Sequence, residues 1–395
     1  MDLRESAELV DFRAQVASWL ETKAPRKGSP DDFTIGRDRE FVEGCRRWQA
    51  SLFEGGWAGI SWPTAFGGRG LSALFDLAFR REQARFGVST AAFDVGIGMV
   101  GPTLMVHGTP AQKSRHLPAL LRGQEVWCQM FSEPGAGSDL AGLSTAARRG
   151  AEGWVVNGAK VWTSYARFAD YAILLARSDP DLPKHHGITC FLLDMRTPGI
   201  EIRPIPQMNG AAEFNQVFLT DVEIPDHCVL GEVNAGWTVA NTMLGSERGL
   251  AGDEWPGVAE LIEIARAKGR ADDPLVRQDI AGIFVGQEIQ HYLDLRVQSR
   301  LESGEPVGAL ASIVNLFFAD HLRRAGNVAA SLLGPEVLTA RSQIGLAGRW
   351  QFHLLTAPSV RIASGSDEIQ RNILGERALG LPREPRPESS AGRTG

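Results

Sequence analysis

The chain has 395 residues, of which 43% are hydrophobic and 22% are charged, and this ordinary globular composition excludes a largely disordered protein. Lys and Arg number 41 against 47 Asp and Glu, a formal net charge of −6, so no basic surface for nucleic acid is expected. No uncharged apolar run reaches about 18 residues, so no membrane span is expected. The acidic N-terminus lacks the apolar core of a secretory signal, and we therefore expect a cytoplasmic protein.

Residues 1–124 have the periodicity of helices. Leu9, Phe12, Val16 and Leu20 recur at intervals of three and four, which places them on one helix face. This spacing predicts an N-terminal all-helical domain.

Residues 125–232 contain short runs typical of β-strands. Strand-like runs occupy residues 171–176, 188–193, 200–205 and 216–224. Residues 154–162 form two further short runs around Asn157-Gly158, a dipeptide that predicts a hairpin turn. A hundred residues of short strands indicates a small barrel or sandwich.

Residues 233–383 are helical again. The stretches 274–302 and 309–333 are too apolar for isolated exposed helices, and in the second the apolar residues cover more than one face: Leu310, Ile313, Val314, Leu316 and Phe317. Such helices are buried in a bundle or in a subunit interface, so we predict a C-terminal helical bundle and oligomerisation. The tail, residues 384–395, is rich in Pro, Glu, Ser and Gly, and we expect it to be disordered. The predicted fold class is α+β.

Generic catalytic motifs are almost absent from the sequence. It contains no P-loop, no HExxH and no GxSxG. The four cysteines form no CxxC pair, so neither a zinc site nor a disulfide framework is indicated. One GxGxxG occurs at Gly96, Gly98 and Gly101, but it lies within the helical pattern and Pro102 follows it. We interpret these glycines as contacts for close helix packing or as a turn.

Three segments have the composition of ligand-binding loops. Residues 131–139, FSEPGAGSD, can form an anion-binding nest of backbone N–H groups or an ordinary turn. Residues 162–164, WTS, set an indole beside two hydroxyls, which suits a flat heteroatom-rich ring but also a core tryptophan. In residues 363–372, ASGSDEIQRN, Ser366 or Asp367 can cap a helix whose N-terminus favours an anion, or simply begin it.

Together and in this order, FSEPGAGSD, VWTS and GSDEIQRN resemble the acyl-CoA dehydrogenases, flavoproteins that oxidise acyl-CoA thioesters to 2-enoyl-CoA. The resemblance extends to GWAGISWPTAFGGRGLS, HGTPAQKSRHLP and LGERALGLPRE and covers nearly the whole chain. It implies an N-terminal helical domain, a middle small β-barrel and a C-terminal four-helix bundle, with FAD between the last two and partly against a neighbouring subunit. It also implies a homo-oligomer, dimer or tetramer, that passes electrons to electron-transferring flavoprotein.

The matching segments imply roles for individual residues. Cofactor contacts are implied for Met130, Phe131, Ser132, Gly137, Ser138, Trp162, Thr163, Ser164, Ser366 and Glu368. Ser164 corresponds to a position near flavin N5. Contacts with the acyl-CoA are implied for Ser138, Arg248, Ser364 and Gly365. The backbone N–H of Ser364 is expected to help bind the thioester carbonyl.

The catalytic base is where this sequence departs from much of the family. Removal of the α-proton requires a carboxylate in a site dry enough to raise its pKa. Many members carry that glutamate immediately before the glycine of the C-terminal motif, where this chain has Ser364. A second branch, similar to isovaleryl- and long-chain-type enzymes, uses a helical glutamate that precedes an arginine, as Glu247 precedes Arg248 here.

We predict that Glu247 is the base. Met243 and Leu244 lie four and three residues earlier, on the same helix face, and would surround the carboxyl with apolar groups. The alternative is that Glu247 lies on a solvated helix face, as most glutamates do.

Other departures leave alternatives open. The family's RxxFG segment, which contacts FAD from a neighbouring subunit, is replaced by GRADDPLVRQ, where Arg270 and Arg277 are the two alternatives for this contact. Two alternative functions of this chain therefore remain open. One is a non-catalytic partner subunit of a hetero-oligomer, and the other is a flavin oxidase or monooxygenase that uses O₂ on the same fold. The sequence does not specify the acyl chain.

Overall fold

The structure is a computed structural model, and it describes residues 6–34, 36, 38–247, 257–303, 305–339, 345–363 and 365–383. Within these ranges no helix combines the length and the apolar character needed to cross a membrane. The same ranges contain no group of three or more His, Cys, Asp or Glu side chains arranged to hold a metal ion. The predicted disordered tail, residues 384–395, lies outside the described residues.

The first 124 residues are helical, as predicted. The helices are α1 (Ala7–Lys23), α2 (Arg39–Glu54), α3 (Ala73–Gln83), α4 (Gly101–His107) and α5 (Pro110–Leu121). The predicted face of α1 is its buried face, with each of its four apolar side chains at most 5% exposed. Ser6 caps α1, because its hydroxyl accepts a hydrogen bond from the N–H of Leu9 at 3.2 Å.

The GxGxxG glycines lie at a close helix contact. A π-helical turn, Asp94–Val100, leads directly into α4. A Cβ atom on Gly101 would lie 2.2 Å from the Trp62 ring, and one on Gly96 would lie 2.7 Å from the Leu120 side chain. The interpretation that these glycines allow close packing is therefore confirmed.

The middle of the chain is a β domain. Its strands are β1 (Trp127–Met130), β2 (Ala146–Arg149), β3 (Gly153–Ser164), β4 (Tyr171–Arg177), β5 (Ile188–Asp194), β6 (Ile200–Pro204), β7 (Phe214–Pro225) and β8 (Val229–Leu230). They form one sheet in the order β6-β7-β3-β2-β4-β5-β8, and β1 pairs with β4 in parallel. The four predicted runs correspond to β4, β5, β6 and β7. The single sheet differs from the two packed sheets of a sandwich.

The predicted hairpin at Asn157-Gly158 is wrong, because both residues lie inside the continuous strand β3. The register with β7 shifts at this point. The Asn157 amide donates to the Asp221 carboxylate at 3.0 Å and accepts from the Asp221 N–H at 2.9 Å. A Cβ on Gly158 would lie 2.4 Å from the Thr145 hydroxyl, so glycine is needed for close approach. The extra residue of this shift lies on β7, where Thr220 and Asp221 stand between the partners of Val156 and Gly158, so the dipeptide lies opposite a β-bulge instead of in a turn.

The C-terminal third is a helical bundle, as predicted. Its helices are α6 (Gly236–Glu247), α7 (Val258–Ala267), α8 (Pro274–Glu302), α9 (Leu310–Leu333), α10 (Glu336–Thr339), α11 (Gly345–Val360) and α12 (Asp367–Ile373). Helix α9 packs against α7, α8 and α11, and these four helices enclose the bundle core. In α9, Leu310 and Val314 are buried but Ile313 is 41% exposed, so not all of its apolar faces are covered within one chain.

Helix α6 joins the three parts of the molecule. It packs against the π-helical turn, α4 and β5. Its Thr242 hydroxyl lies 2.8 Å from Nε2 of His107 at the end of α4. Met243 is completely buried in the core that the helical domain shares with the sheet. The C-terminal end of α6 therefore lies against the core that the helical domain shares with the sheet.

Candidate active site

The FSEPGAGSD segment forms a turn next to β3. Glu133 and Ala136 exchange two backbone hydrogen bonds, at 2.9 and 3.0 Å, around Pro134-Gly135. Ser132 accepts a hydrogen bond from the N–H of Val161 at 3.0 Å, which attaches the segment to β3. Met130 and Phe131 are buried, Ser132 is half-buried, and Gly137 and Ser138 are exposed at the far side of the turn.

The WTS segment ends β3 in an irregular conformation. The register with β7 shifts between Lys160 and Thr163. Within this shift Trp162 adopts a left-handed φ of 61°, which is unfavourable for a bulky residue. The indole is 59% exposed and meets Phe214 edge to face, with ring centroids 6.0 Å apart. The bulge thus holds a large apolar ring at the surface, where a planar ligand could cover it.

Two buried polar atoms beside this indole have no partner within the described residues. They are the hydroxyl oxygen of Thr163 and the amide oxygen of Asn215. The Asn215 amide nitrogen donates to the carbonyl oxygens of Thr163 and Glu213, at 2.9 and 2.8 Å. Both residues are 0% exposed, so these atoms lie inside the protein, and because an unsatisfied buried polar atom costs about 1–3 kcal/mol, the irregular end of β3 is formed at a cost in stability.

The C-terminal motif begins α12. Ser366 caps the helix, since its hydroxyl accepts a hydrogen bond from the Ile369 N–H at 3.4 Å, and this decides between the two predicted caps. Gly365 has a φ of +95°, which favours glycine. Glu368 is exposed. Asp367 is buried and forms an ion pair with Arg361, whose side chain is 44% exposed.

One hydrogen bond links the bundle to the sheet near the WTS segment. The Asn209 amide donates to the Thr356 hydroxyl of α11 at 2.9 Å. Asn209 belongs to the loop between β6 and β7, and that loop leads directly to Phe214, the neighbour of Trp162. The WTS segment therefore lies on the side of the sheet that approaches the bundle.

Glu247 is the last residue of α6, one turn beyond Met243. The predicted apolar face is confirmed for its neighbours, because Met243 is fully buried and Leu244 packs partly against the same core. The side chain of Glu247 lies outside what the structure describes, as do Arg248 and Ser364. The roles predicted for these three residues stay predictions.

A buried ion pair, which the motifs did not predict, joins the FSEPGAGSD segment to β3. Nζ of Lys160 lies 2.8 Å from Oε1 of Glu133, and their side chains are 0% and 5% exposed. The Glu133 carboxylate also accepts from the N–H and hydroxyl of Ser144, at 2.7 and 2.8 Å, and from the Thr145 N–H at 2.9 Å. Nζ of Lys160 donates to the Phe131 carbonyl at 3.1 Å as well.

A signal for this pair was present in the strand pattern. Residues two apart share a face of a strand, so Lys160 falls on the buried face of Trp154 and Val156. A lysine in such a position requires a carboxylate partner, because lysine is almost never fully buried unless paired. The sequence could not identify which of the 47 acidic residues supplies it.

Burial and pairing shift the pKa values of both Glu133 and Lys160 strongly. Burial alone would raise the pKa of Glu133, but the charge and hydrogen bonds of Lys160 outweigh it and bring the pKa to about 2. Burial lowers the pKa of Lys160 to about 8 in spite of the charge of Glu133. Both groups are therefore charged at neutral pH.

We expect this pair to make the protein acid-sensitive in a defined window. The folded pKa of Glu133 lies below its ordinary 4.5, so its contribution to stability is complete above pH 4.5 and is lost as the pH falls towards 2. Between these values the unfolding free energy should fall by about 3 kcal/mol more in the natural protein than in Glu133→Gln. Urea unfolding at a series of pH values measures this difference, and parallel curves for the two proteins would contradict it.

Three family models match consecutive parts of the chain. They are the acyl-CoA dehydrogenase N-terminal domain over residues 6–124, the middle domain over residues 128–222 and the C-terminal domain over residues 234–379. Acyl-CoA dehydrogenase IpdE1 of Mycolicibacterium smegmatis is 37% identical over 397 residues, covering 95% of this chain and 99% of the relative.

Solved structures agree with these matches. The Tcur3481-Tcur3483 steroid ACAD superposes with a TM-score of 0.86 at 30% identity, covering 97% of this chain and 100% of the other. A chain of the ChsE4-ChsE5 complex from Mycobacterium tuberculosis superposes with a TM-score of 0.81 at 28% identity, with coverage of 97% and 100%. The resemblance stated from the motifs is confirmed: the chain belongs to the acyl-CoA dehydrogenases, a family of oxidoreductases.

Proposed function

We propose that this protein is an FAD-dependent acyl-CoA dehydrogenase that converts an acyl-CoA thioester to its 2-enoyl-CoA. The observation that carries the proposal is the exposed indole of Trp162, which the bulge of β3 holds in a left-handed conformation directly after the residue bonded to the FSEPGAGSD turn. A planar ring with hydrogen-bonding atoms along its edge, such as an isoalloxazine, can cover this indole while its edge meets the backbone of the turn.

The chain offers FAD three binding segments. They comprise Met130, Phe131, Ser132, Gly137 and Ser138 of the turn, Trp162, Thr163 and Ser164 of β3, and Ser366 and Glu368 at the start of α12. The N–H groups at the beginning of α12 suit negative charge, such as that of a pyrophosphate. When bound, FAD supplies the acceptor for the hydride that leaves the β-carbon of the acyl group.

The chain itself supplies the base and the substrate contacts. Glu247 removes the α-proton, and the apolar residues Met243 and Leu244 in the preceding turn of α6 exclude water from its surroundings, which raises its basicity. The backbone N–H of Ser364, next to Gly365, donates to the thioester carbonyl as negative charge develops on it. Ser138 and Arg248 contact the acyl-CoA.

The proposal is tested by anaerobic titration of the purified protein with a panel of acyl-CoA thioesters. We expect a yellow protein whose visible flavin absorbance bleaches with at least one linear, branched or steroid-derived thioester. The steroid-derived thioesters are included because one similar structure is described as a steroid ACAD. A protein that binds FAD but bleaches with none of these thioesters would contradict the proposal. Peroxide formation without another acceptor would instead indicate an oxidase.

A second function, partner subunit of a hetero-oligomer, is favoured by one observation. Phe284, Val285 and Ile289 on α8 are 51%, 54% and 42% exposed in the single chain, an apolar surface that another chain could cover. Two similar structures carry paired names, Tcur3481-Tcur3483 and the ChsE4-ChsE5 complex. Size-exclusion chromatography of the chain expressed alone separates the two cases. A yellow dimer or tetramer supports the homo-oligomer, for which electron-transferring flavoprotein is the proposed electron acceptor. A colourless monomer supports the partner role.

A further inference from the structure

We propose that the buried Glu133–Lys160 ion pair is a positioning device that sets the turn at residues 131–138 against the end of β3. The inference rests on the proposed FAD binding and assigns a role to two residues outside the proposed binding set. Neither side chain is exposed enough to be a ligand contact, because their exposed fractions are 5% and 0%. Their influence on the cofactor therefore passes through the segments that they join.

The Lys160 half of the device holds the beginning of the turn. Nζ of Lys160 bonds to the Phe131 carbonyl at 3.1 Å and to Glu133 at 2.8 Å, and the next residue, Val161, donates its N–H to Ser132 at 3.0 Å. Phe131 and Glu133 are thus bonded to Lys160, and Ser132, which lies between them, is bonded to Val161. Trp162, with its left-handed conformation, follows immediately.

The Glu133 half holds the end of the same segment. Its carboxylate accepts from both the N–H and the hydroxyl of Ser144 and from the N–H of Thr145, eleven and twelve residues later in the chain. Within the intervening stretch, Ala136, Leu140 and Leu143 are anchored by buried side chains, whereas a Cβ on Gly135 or Gly137 would meet open space. Packing therefore does not hold the two exposed glycine positions, and the hydrogen bonds of the ion pair hold the segments on either side of them.

Stability alone does not explain such a pair. Replacing a buried ion pair by apolar side chains of similar volume is often neutral or stabilising, because desolvation offsets the Coulomb attraction. What an apolar pair cannot do is fix the direction of the Phe131 carbonyl and of the Ser144 and Thr145 N–H groups, since dispersion contacts have no directional requirement. The ion pair thus suits a role in geometry.

The test is a double-mutant cycle read by FAD affinity and by thermal unfolding of the apoprotein. Glu133→Gln and Lys160→Met each leave one buried charge uncompensated, so each should destabilise the apoprotein. The double variant removes both charges and should regain most of the apoprotein melting temperature. If the pair positions the turn, the double variant should still bind FAD at least about tenfold more weakly, with an altered visible spectrum.

Two further variants complete the design. Ser144→Ala removes one donor to Glu133 from an exposed side chain and should fold normally, yet weaken FAD binding by roughly fivefold. Lys184→Met is the matched control, because Lys184 pairs with Asp139 at 2.8 Å at the end of the same loop but is 51% exposed. It should leave FAD affinity unchanged.

The outcomes separate this inference from the proposed function. Natural protein that binds FAD, together with a double variant and a Ser144→Ala variant that bind it equally well, overturns the positioning role only. Should the double variant fail to fold, Ser144→Ala decides by itself. Natural protein that binds no FAD overturns both.

Discussion

Replacing Glu247 by Gln should leave a yellow, folded protein whose flavin is no longer reduced by acyl-CoA. A glutamine has nearly the shape of glutamate but cannot accept the α-proton. General base catalysis contributes about 10²–10⁴-fold in rate, so reduction of the flavin should slow by at least that factor. Anaerobic stopped-flow mixing with the thioester that reacts best with the natural protein measures this rate.

The variant needs two controls. Its visible spectrum and melting temperature should match those of the natural protein, because glutamine has nearly the shape of glutamate and Glu247 is the last residue of α6. Glu232→Gln removes an exposed carboxylate shortly before α6 and should react at the normal rate. If Glu247→Gln reduces its flavin as fast as this control, another group is the base.

The second large effect concerns the position of the base. A carboxylate placed at residue 364 should recover the flavin reduction that the Glu247→Gln variant loses. Adding Ser364→Glu to the Glu247→Gln variant should restore flavin reduction by about 10²-fold, because residue 364 precedes Gly365 where many relatives of this family carry their base. The two residues that follow position 364 have defined conformations, since Gly365 has a φ of +95° and Ser366 caps α12. The measurement is again the anaerobic rate of reduction.

A neighbouring substitution distinguishes position from charge. Ala363 is exposed and lies one residue earlier, so Ala363→Glu in the Glu247→Gln background adds the same charge at the wrong place and should restore nothing. Equal recovery by both substitutions would mean that a nearby negative charge is sufficient. No recovery with Ser364→Glu would mean that the two positions do not face the same carbon.

Features set by neighbours in sequence were predicted correctly. The buried face of α1, the limits of α8 and the strands β4 to β7 follow from periods of 3.6 and 2, which any stretch of chain displays by itself. The cap of α12 is equally local, and the sequence narrowed it to Ser366 or Asp367, because a capping side chain reaches a backbone N–H only two or three residues away. The three motif segments carried the family resemblance for the same reason, since each is a short run of consecutive residues.

Tertiary structure decided what depends on residues far apart in the chain. Asn157-Gly158 has the sequence of a hairpin turn, but its pairing with Asp221 holds it inside a strand, opposite a bulge of β7. The strand pattern places Lys160 on a buried face, but its partner Glu133 lies 27 residues away and comes into contact with it only in the folded protein. Local preferences amount to about 1 kcal/mol or less per residue, whereas an unpaired buried charge costs several, so the long-range contact prevails wherever the two conflict.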